Sequence, residues 1–387
     1  MKDVVLIRWS RVLGLAALIL FQGCRGGNSN GVPPPPPLNG PEFLYVGTGG
    51  TAGPNGLLIF PIDPNTGALG PATTISATGS ILGTVGDPFG KVLYTTEDQV
   101  GIHEYSINGT TGALTEFSGS PFAVPSNSTL YTDTQNKFVY SSNCGYVRSS
   151  TGMLTPIGSG CVVGGSGLKT AVDPADKFVI FNCDNRGEAV CVATLDPNTG
   201  VLTRVPQNNE VFANFYQPND EAVLPSGKFV YSSGPFAGFQ GPPPVPPSPT
   251  FEEIAIFSLD RTSGQLTILT QMDLPFAPDS MVMAMDPAGK FLYAADSTKI
   301  LGFSINATDG SLTALAGSPF MGQHKFALGA NVFHVDPAGK FLYLTGEDSN
   351  TVFGYRIDSA SGTLSPLPGS PFPIGATPLS LSVVRTP

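Results

Sequence analysis

Seven times along the chain a short turn of the type Asp336-Pro337-Ala338-Gly339-Lys340 leads into an aromatic-rich segment ending in Leu-Tyr, and a Thr-Gly-x-Leu turn follows further on. The tyrosine register runs Tyr45, Tyr94, Tyr140, Ile180, Tyr231, Tyr293 and Tyr343, with isoleucine once in its place. The second turn tracks it through Gly67, Gly112, Gly152, Gly200, Gly264, Gly310 and Gly362. The mean spacing is about 50 residues, a period that belongs to propeller blades rather than to helical solenoids.

One copy, residues 331–372, shows how the repeat folds. NVFHV alternates as a strand, and Asp336-Pro337 with Gly339 supplies a tight turn, because proline presets φ and glycine accepts positive φ. KFLYLT is the next strand, rich in β-formers. VFGYRI follows after a polar loop, and Ser361-Gly362 turns the chain into TLSPL. The copy leaves through Gly369-Ser370-Pro371-Phe372, an exit repeated at 119–122 and 317–320. Its proline is expected to blunt the edge of the outermost strand, and its phenylalanine to pack between blades. The first copy lacks a strand before its Leu-Tyr element, whereas an apolar segment, Leu379 to Val384, is left over at the end. The expectation is an all-β, seven-bladed β-propeller of four-stranded antiparallel blades, the ring closed by the C-terminal strand.

Gly 47 and Pro 37 are high for 387 residues, yet a hydrophobic fraction of 41% excludes disorder, so the excess belongs in turns. The formal net charge of −10 disfavours nucleic acid as a partner, since phosphate binding needs a basic stripe.

The first segment reads as an address. Lys2, Arg8 and Arg11 precede an apolar run from Val12 to Phe21, too short to span a bilayer and suited to a signal peptide over 1–23. Phe21-Gln22-Gly23-Cys24 resembles a bacterial lipobox, which makes Cys24 a lipidation site and the membrane a partner through that anchor; without lipidation the chain would be secreted. Residues 24–40, with five consecutive prolines, read as a polyproline II tether, and the propeller as 41–387. The remaining cysteines, Cys144, Cys161, Cys183 and Cys191, permit two disulfides in an oxidising compartment. Cys183 with Cys191 on one hairpin is the favoured bridge, Cys144 with Cys161 the second.

Strand direction sorts the loops. The Asp-Pro-x-Gly-Lys turns and the Thr-Gly-x-Leu turns share one face and are short and uniform. The second-to-third-strand loops and the inter-blade loops share the other face and vary, with a long insertion from Gly234 to Thr250. Function is expected on that variable face.

The combination of AVDPAGKFLY-like, Asp-x-x-Thr-Gly-x-Leu and GSPF elements resembles the bacterial lactonase-like seven-bladed propeller family, with its 6-phosphogluconolactonase-type and carboxymuconate-cyclising relatives. The resemblance covers residues 41–387. It implies lactone hydrolysis as one activity, with His, Arg and Glu side chains at the mouth of the ring. On the variable face these are His324 as base, Arg186 or Lys325 as oxyanion partner, and Glu347 to orient. Glu97, Asp98, Asp184, Asp296 and Asp348 lie in loops of the same face. His103 and His334 fall in strand patterns and read as structural. The third copy, NKFVYSSNCGYVRSS, lacks the His- and Asp-bearing loop of enzymatic relatives. The main reading is therefore an exported scaffold that binds a small molecule or protein on its loop face. The alternatives are a lactone hydrolase acting on a sugar lactone, and a structural component of the cell envelope. No motif demands a cofactor; a calcium ion held by loop carboxylates is the one metal the composition would suit. The chain is expected to act as a monomer.

Overall fold

The computed structural model of the protein describes residues 38–50, 53–123, 130–141, 144–161, 170–182, 190–207, 220–235, 251–276, 281–321, 332–346 and 350–387. These form seven antiparallel sheets, each built on four strands, with a short fifth strand added in blades 6 and 7. In blade 7 the strands run outward as Phe333–Val335, Phe341–Gly346, Thr351–Ile357 and Leu364–Pro366, the four expected from sequence. In blade 1 the innermost strand is Thr377–Arg385, paired antiparallel with Glu42–Gly49 from Glu42 opposite Arg385 to Gly49 opposite Thr377. The last strand of the chain thus completes the first blade.

Blades stack face to face, so the second strands bury both of their sides: Glu42–Gly49, Val92–Glu97 and Phe341–Gly346 are buried throughout rather than alternating. Among the described residues the core is seven separate apolar clusters, and each draws its members from two neighbouring blades. A blade therefore has no core of its own.

The two repeated turns are tied together across those interfaces. Tyr45 Oη donates to the Gly112 carbonyl at 2.9 Å, Tyr140 to Gly200 at 2.7 Å, Tyr231 to Gly310 at 2.9 Å, and Tyr293 to Gly362 at 2.7 Å. Tyr343 donates to Gly67 at 2.7 Å and carries the series across the closure of the ring. Each buried hydroxyl is thereby satisfied, and each turn carbonyl of the next blade gains a donor. The glycines sit at φ near +70 to +77° at Gly112, Gly200, Gly310, Gly362 and Gly67, with the ring of a phenylalanine from the preceding blade so close that a Cβ would collide with it.

Two interfaces break the pattern. Blade 4 has Ile180, which has no hydroxyl to offer Gly264; there Gln207 Nε2 donates to the Gly264 carbonyl at 3.2 Å while its Oε1 accepts the Leu266 N–H at 2.8 Å. In blade 2 the Tyr94 hydroxyl turns to Asn136 Oδ1, 2.9 Å away, because the Gly152 turn of blade 3 is differently built.

The turn aspartates cap their own hairpins. Asp336 Oδ1 accepts the N–H groups of Lys340 and Phe341, both at 2.6 Å, and Asp87, Asp133 and Asp286 repeat the arrangement. In the GSPF exits, Ser120, Ser318 and Ser370 accept the N–H groups of Glu104, Gly302 and Gly354. The phenylalanines Phe122, Phe320 and Phe372 then pair back onto the third strand and pack against clusters shared by two blades. The exit so extends the sheet as well as packing between blades.

Cys144 and Cys191 are each in a disulfide, and Cys144 lies opposite Cys161 in the pairing of Cys144–Arg148 with Leu154–Cys161. The side chains of Cys161 and Cys183, like Cys24 and the tether up to residue 37, lie outside the described residues.

Candidate functional site

Of the residues singled out from sequence on the variable face, His324, Lys325, Arg186, Asp184, Glu347 and Asp348 lie outside the described residues. Asp296 has a structural role: its Oδ1 accepts the Thr298 N–H and hydroxyl at 2.7 and 2.9 Å and the Lys299 N–H at 2.8 Å, which closes the loop on itself. Asp98 is half-buried and accepts from Gln99 Nε2 at 3.1 Å.

Glu97 is more deeply engaged. It ends the second strand of blade 2, Val92–Glu97, on the loop face. Its Oε1 accepts the Thr78 hydroxyl and the Gly79 N–H, both at 2.5 Å, from the loop entering that blade. Its Oε2 stands 3.0 Å from His103 Nε2, and His103 Nδ1 is 2.7 Å from Glu116 Oε1. Burial works against the Glu97 carboxylate, but those hydrogen bonds and the histidine outweigh it and hold the carboxyl below its ordinary range. With both ring nitrogens engaged and its ring stacked on Tyr105, His103 fastens three strands of one blade; it is a structural histidine, as its strand position implied.

Blade 5 is extended on the loop face. Its second strand runs on to Pro235, its third begins at Glu252 and its fourth ends at Leu274, with Glu252 opposite Pro235 and Glu253 opposite both Gly234 and Asp273. This extension carries an acidic group that sequence reasoning passed over. Asp220, Glu221, Glu252 and Glu253 are all buried, at the ends of strands where an apolar residue is the norm. Asp220 is accounted for by the Met283 N–H of blade 6, which its Oδ2 accepts at 2.6 Å. Glu221 and Glu253 share the sheet face turned toward blade 4, with Ala255 and Phe257 of the cluster common to those two blades. Burial first, and then the hydrogen bond and charge of Asp273, push the Glu253 carboxyl up to about 7. A carboxyl that titrates there can take and return a proton at neutral pH. The signal available in the sequence was the pair of acidic doublets, Asp220-Glu221 and Glu252-Glu253, flanking the proline-rich insertion at strand starts.

Uncharged hydrogen-bonding groups are buried at other points of the ring. The hydroxyls of Thr84, Thr96, Ser141, Ser232 and Thr345 are buried on the two inner strands of blades 2, 3, 5 and 7 and have no hydrogen-bond partner among the described residues. Among those residues, no cluster of three or more His, Cys, Asp or Glu is placed to hold a metal ion.

Comparison with known proteins agrees with this architecture. Residues 283–376, in blades 6 and 7, match the family model described as lactonase, 7-bladed beta-propeller. No curated protein matches the sequence. A putative 6-phosphogluconolactonase from Bacteroides fragilis superposes with a TM-score of 0.68 at 17% identity, covering 89% of this chain and 98% of its own. The periplasmic gluconolactonase of Pseudomonas aeruginosa gives 0.68 at 14% identity, covering 90% and 100%. A putative 6-phosphogluconolactonase from Bacteroides uniformis gives 0.67 at 17% identity, covering 89% and 100%. At these identities the likeness is one of fold.

Proposed function

We propose that this seven-bladed β-propeller, whose last two blades match the lactonase family model, hydrolyses a sugar lactone to the open sugar acid, outside the cytoplasm. The observation that carries this reading is the Glu253 carboxyl, buried on the loop face beside Asp273 and held at about 7. The names of the related structures, gluconolactonase and putative 6-phosphogluconolactonase, point the same way.

In this reading the ionised Glu253 takes a proton from a water molecule as its oxygen attacks the lactone carbonyl carbon. Charge then builds on the carbonyl oxygen, and a cationic or N–H donor must meet it. Arg186, in the blade 4 loop that joins the strands facing Glu253, and Lys325, in the loop before blade 7, are the candidates, with His324 and Glu347 as further polar groups of that face. Collapse of the adduct breaks the ring C–O bond, and the departing alkoxide receives the proton from Glu253. One water is consumed and one hydroxy acid formed.

The experiment is acid release by the propeller from a panel of sugar and aromatic lactones across pH. The wild type should gain kcat/KM as pH rises through about 7, because the base works only when ionised. Glu253→Gln should lose about 100-fold or more and lack that limb. Turnover unchanged in Glu253→Gln would move the base to another group of the face. No turnover on any lactone would leave the loop face as a binding surface for a small molecule or protein.

Export rests on the basic start, the apolar run and the Gly23-Cys24 junction. We expect the full chain to partition with membranes through a lipid on Cys24 and the polyproline tether. Cys24→Ser should release it to the soluble fraction; membrane association unaltered by that change would refute the anchor.

A further inference from the structure

The chain enters the propeller on the turn face. The Gly40 N–H donates to the Thr386 carbonyl at 2.9 Å and the Thr386 N–H to the Pro41 carbonyl at 3.0 Å. The first described residues, from Leu38 on, therefore arrive where the other blades carry the hairpin between their first and second strands. Those are the two innermost strands of blade 1, so the segment before Leu38 starts from the middle of the turn face and not from the rim.

The tether is short against the body it would carry. Cys24 stands fourteen residues before Leu38, and at about 3.1 Å per residue in polyproline II that segment reaches about 43 Å. To come out at the loop face it would first cross the width of a four-stranded blade, about 20 Å. It would then run the depth of the ring, which the nine residues of Thr377–Arg385 span at about 30 Å. The way round is longer than the tether, before any length is spent on bringing the lipid to the bilayer.

The two faces also differ in charge. The hairpins of the turn face carry Lys91, Lys137, Lys177, Lys228, Lys290 and Lys340, all exposed except the half-buried Lys177. Lys137 and Lys177 reach across to carbonyls of the next blade, Pro197 and Arg261, both at 2.6 Å. The aspartates that open these hairpins, Asp87, Asp133, Asp173, Asp286 and Asp336, are buried. The exposed acids of this face, Asp63, Asp196, Asp260, Asp309 and Asp358, lie in the outer turns, and each accepts backbone N–H groups of its own turn. On the loop face the described residues supply Glu97, Asp98, Asp296 and the acids of blade 5 against one lysine, Lys299. An anionic lipid surface therefore favours the turn face over the loop face.

We propose that the turn face lies against the lipid surface of the membrane, so that the loop face with its acidic group points away from it. This rests on the lipid at Cys24 and not on lactone turnover. The test is lysine acetylation, read residue by residue by mass spectrometry. The protein, purified from membranes in detergent, is inserted into preformed phosphatidylcholine–phosphatidylglycerol vesicles and treated with a membrane-impermeant reagent; the Cys24→Ser chain, in solution beside the same vesicles, is the reference. Lys228, Lys290 and Lys340, spread over three blades, should react at least about 5-fold more slowly in the anchored protein, and Lys299 should change by less than about 2-fold. Protection of Lys299 in place of the turn lysines, equal protection of all four, protection of none, or protection of Lys340 alone, as a contact at the seam side of the rim would give, would each overturn the orientation. Intact mass keeps the two failures apart. A chain without lipid at Cys24 removes the anchor and the orientation with it, whereas a lipidated chain with the wrong footprint overturns the orientation alone.

Discussion

A chain ending at residue 377 should fail to form the ring. The missing segment is the innermost strand of blade 1, whose Leu381, Val383 and Val384 are buried between the first and last blades and beside blade 2. Burying an aliphatic side chain of this size contributes about 1.5–3 kcal/mol, so three of them approach the whole stability of an ordinary domain, about 5–15 kcal/mol. The strand pairing with Glu42–Gly49 is lost as well, which exposes a long, apolar strand edge at the centre of the molecule. The expected result is loss of cooperative urea unfolding and aggregation. A control separates loss of the strand from mere shortening. Arg385 lies opposite Glu42, and Gly40 and Thr386 are hydrogen-bonded, so the end of the inner strand sits where the other blades have their first hairpin turn. Moving residues 375–387 in front of Glu42 through an Asp-Pro-Ala-Gly-Lys turn should restore the wild-type midpoint. A normal unfolding curve for 1–377 would show that the ring does not depend on its seam.

The seam and the blades were legible because their signals are local. A hairpin that needs an aspartate cap and a positive-φ glycine advertises itself at every copy, as at Asp336 and Gly339, and the orphan segment from Leu379 was visible by subtraction. That Tyr343 would bond to Gly67, 276 residues away, was not, although both had been marked as repeat positions. Register gives what recurs within a blade, and only packing brings one blade's tyrosine to the next blade's turn. The acids of blade 5 were missed for a related reason. Asp220, Glu221, Glu252 and Glu253 read as polar loop ends in a sequence, and their meaning lies in burial, which one strand cannot report. His103 was read correctly as a strand residue, while the two carboxylates that hold it, Glu97 and Glu116, come from strands on either side.

The largest effect of a single substitution should come from Arg148→Ile. Glu104 and Arg148 form a buried ion pair across a blade-to-blade contact: Glu104 lies where other third strands have Ile59, Val192 and Ile256 or the glycines Gly145, Gly302 and Gly354, and Arg148 where they have isoleucine or leucine. Glu104 is fully buried, and burial first, with Arg148 opposing it, already drives its carboxyl above the ordinary range. Its Oε2 has no hydrogen-bond partner among the described residues. Removing the guanidinium leaves an uncompensated buried acid, at a cost of about 3–5 kcal/mol. Removing both charges should not. Glu104→Val with Arg148→Ile gives the interface the aliphatic residues that blades 1, 4 and 5 carry at these positions, and replacing a buried pair by apolar side chains of similar size is neutral or stabilising. The double variant should therefore unfold within about 1 kcal/mol of the wild type or above it, a non-additivity read from urea midpoints of the four proteins in the cycle. If the double variant is as unstable as Arg148→Ile, the pair is holding the shortened Gly152 turn and the Tyr94–Asn136 bond in place, and its value lies in shape rather than in charge.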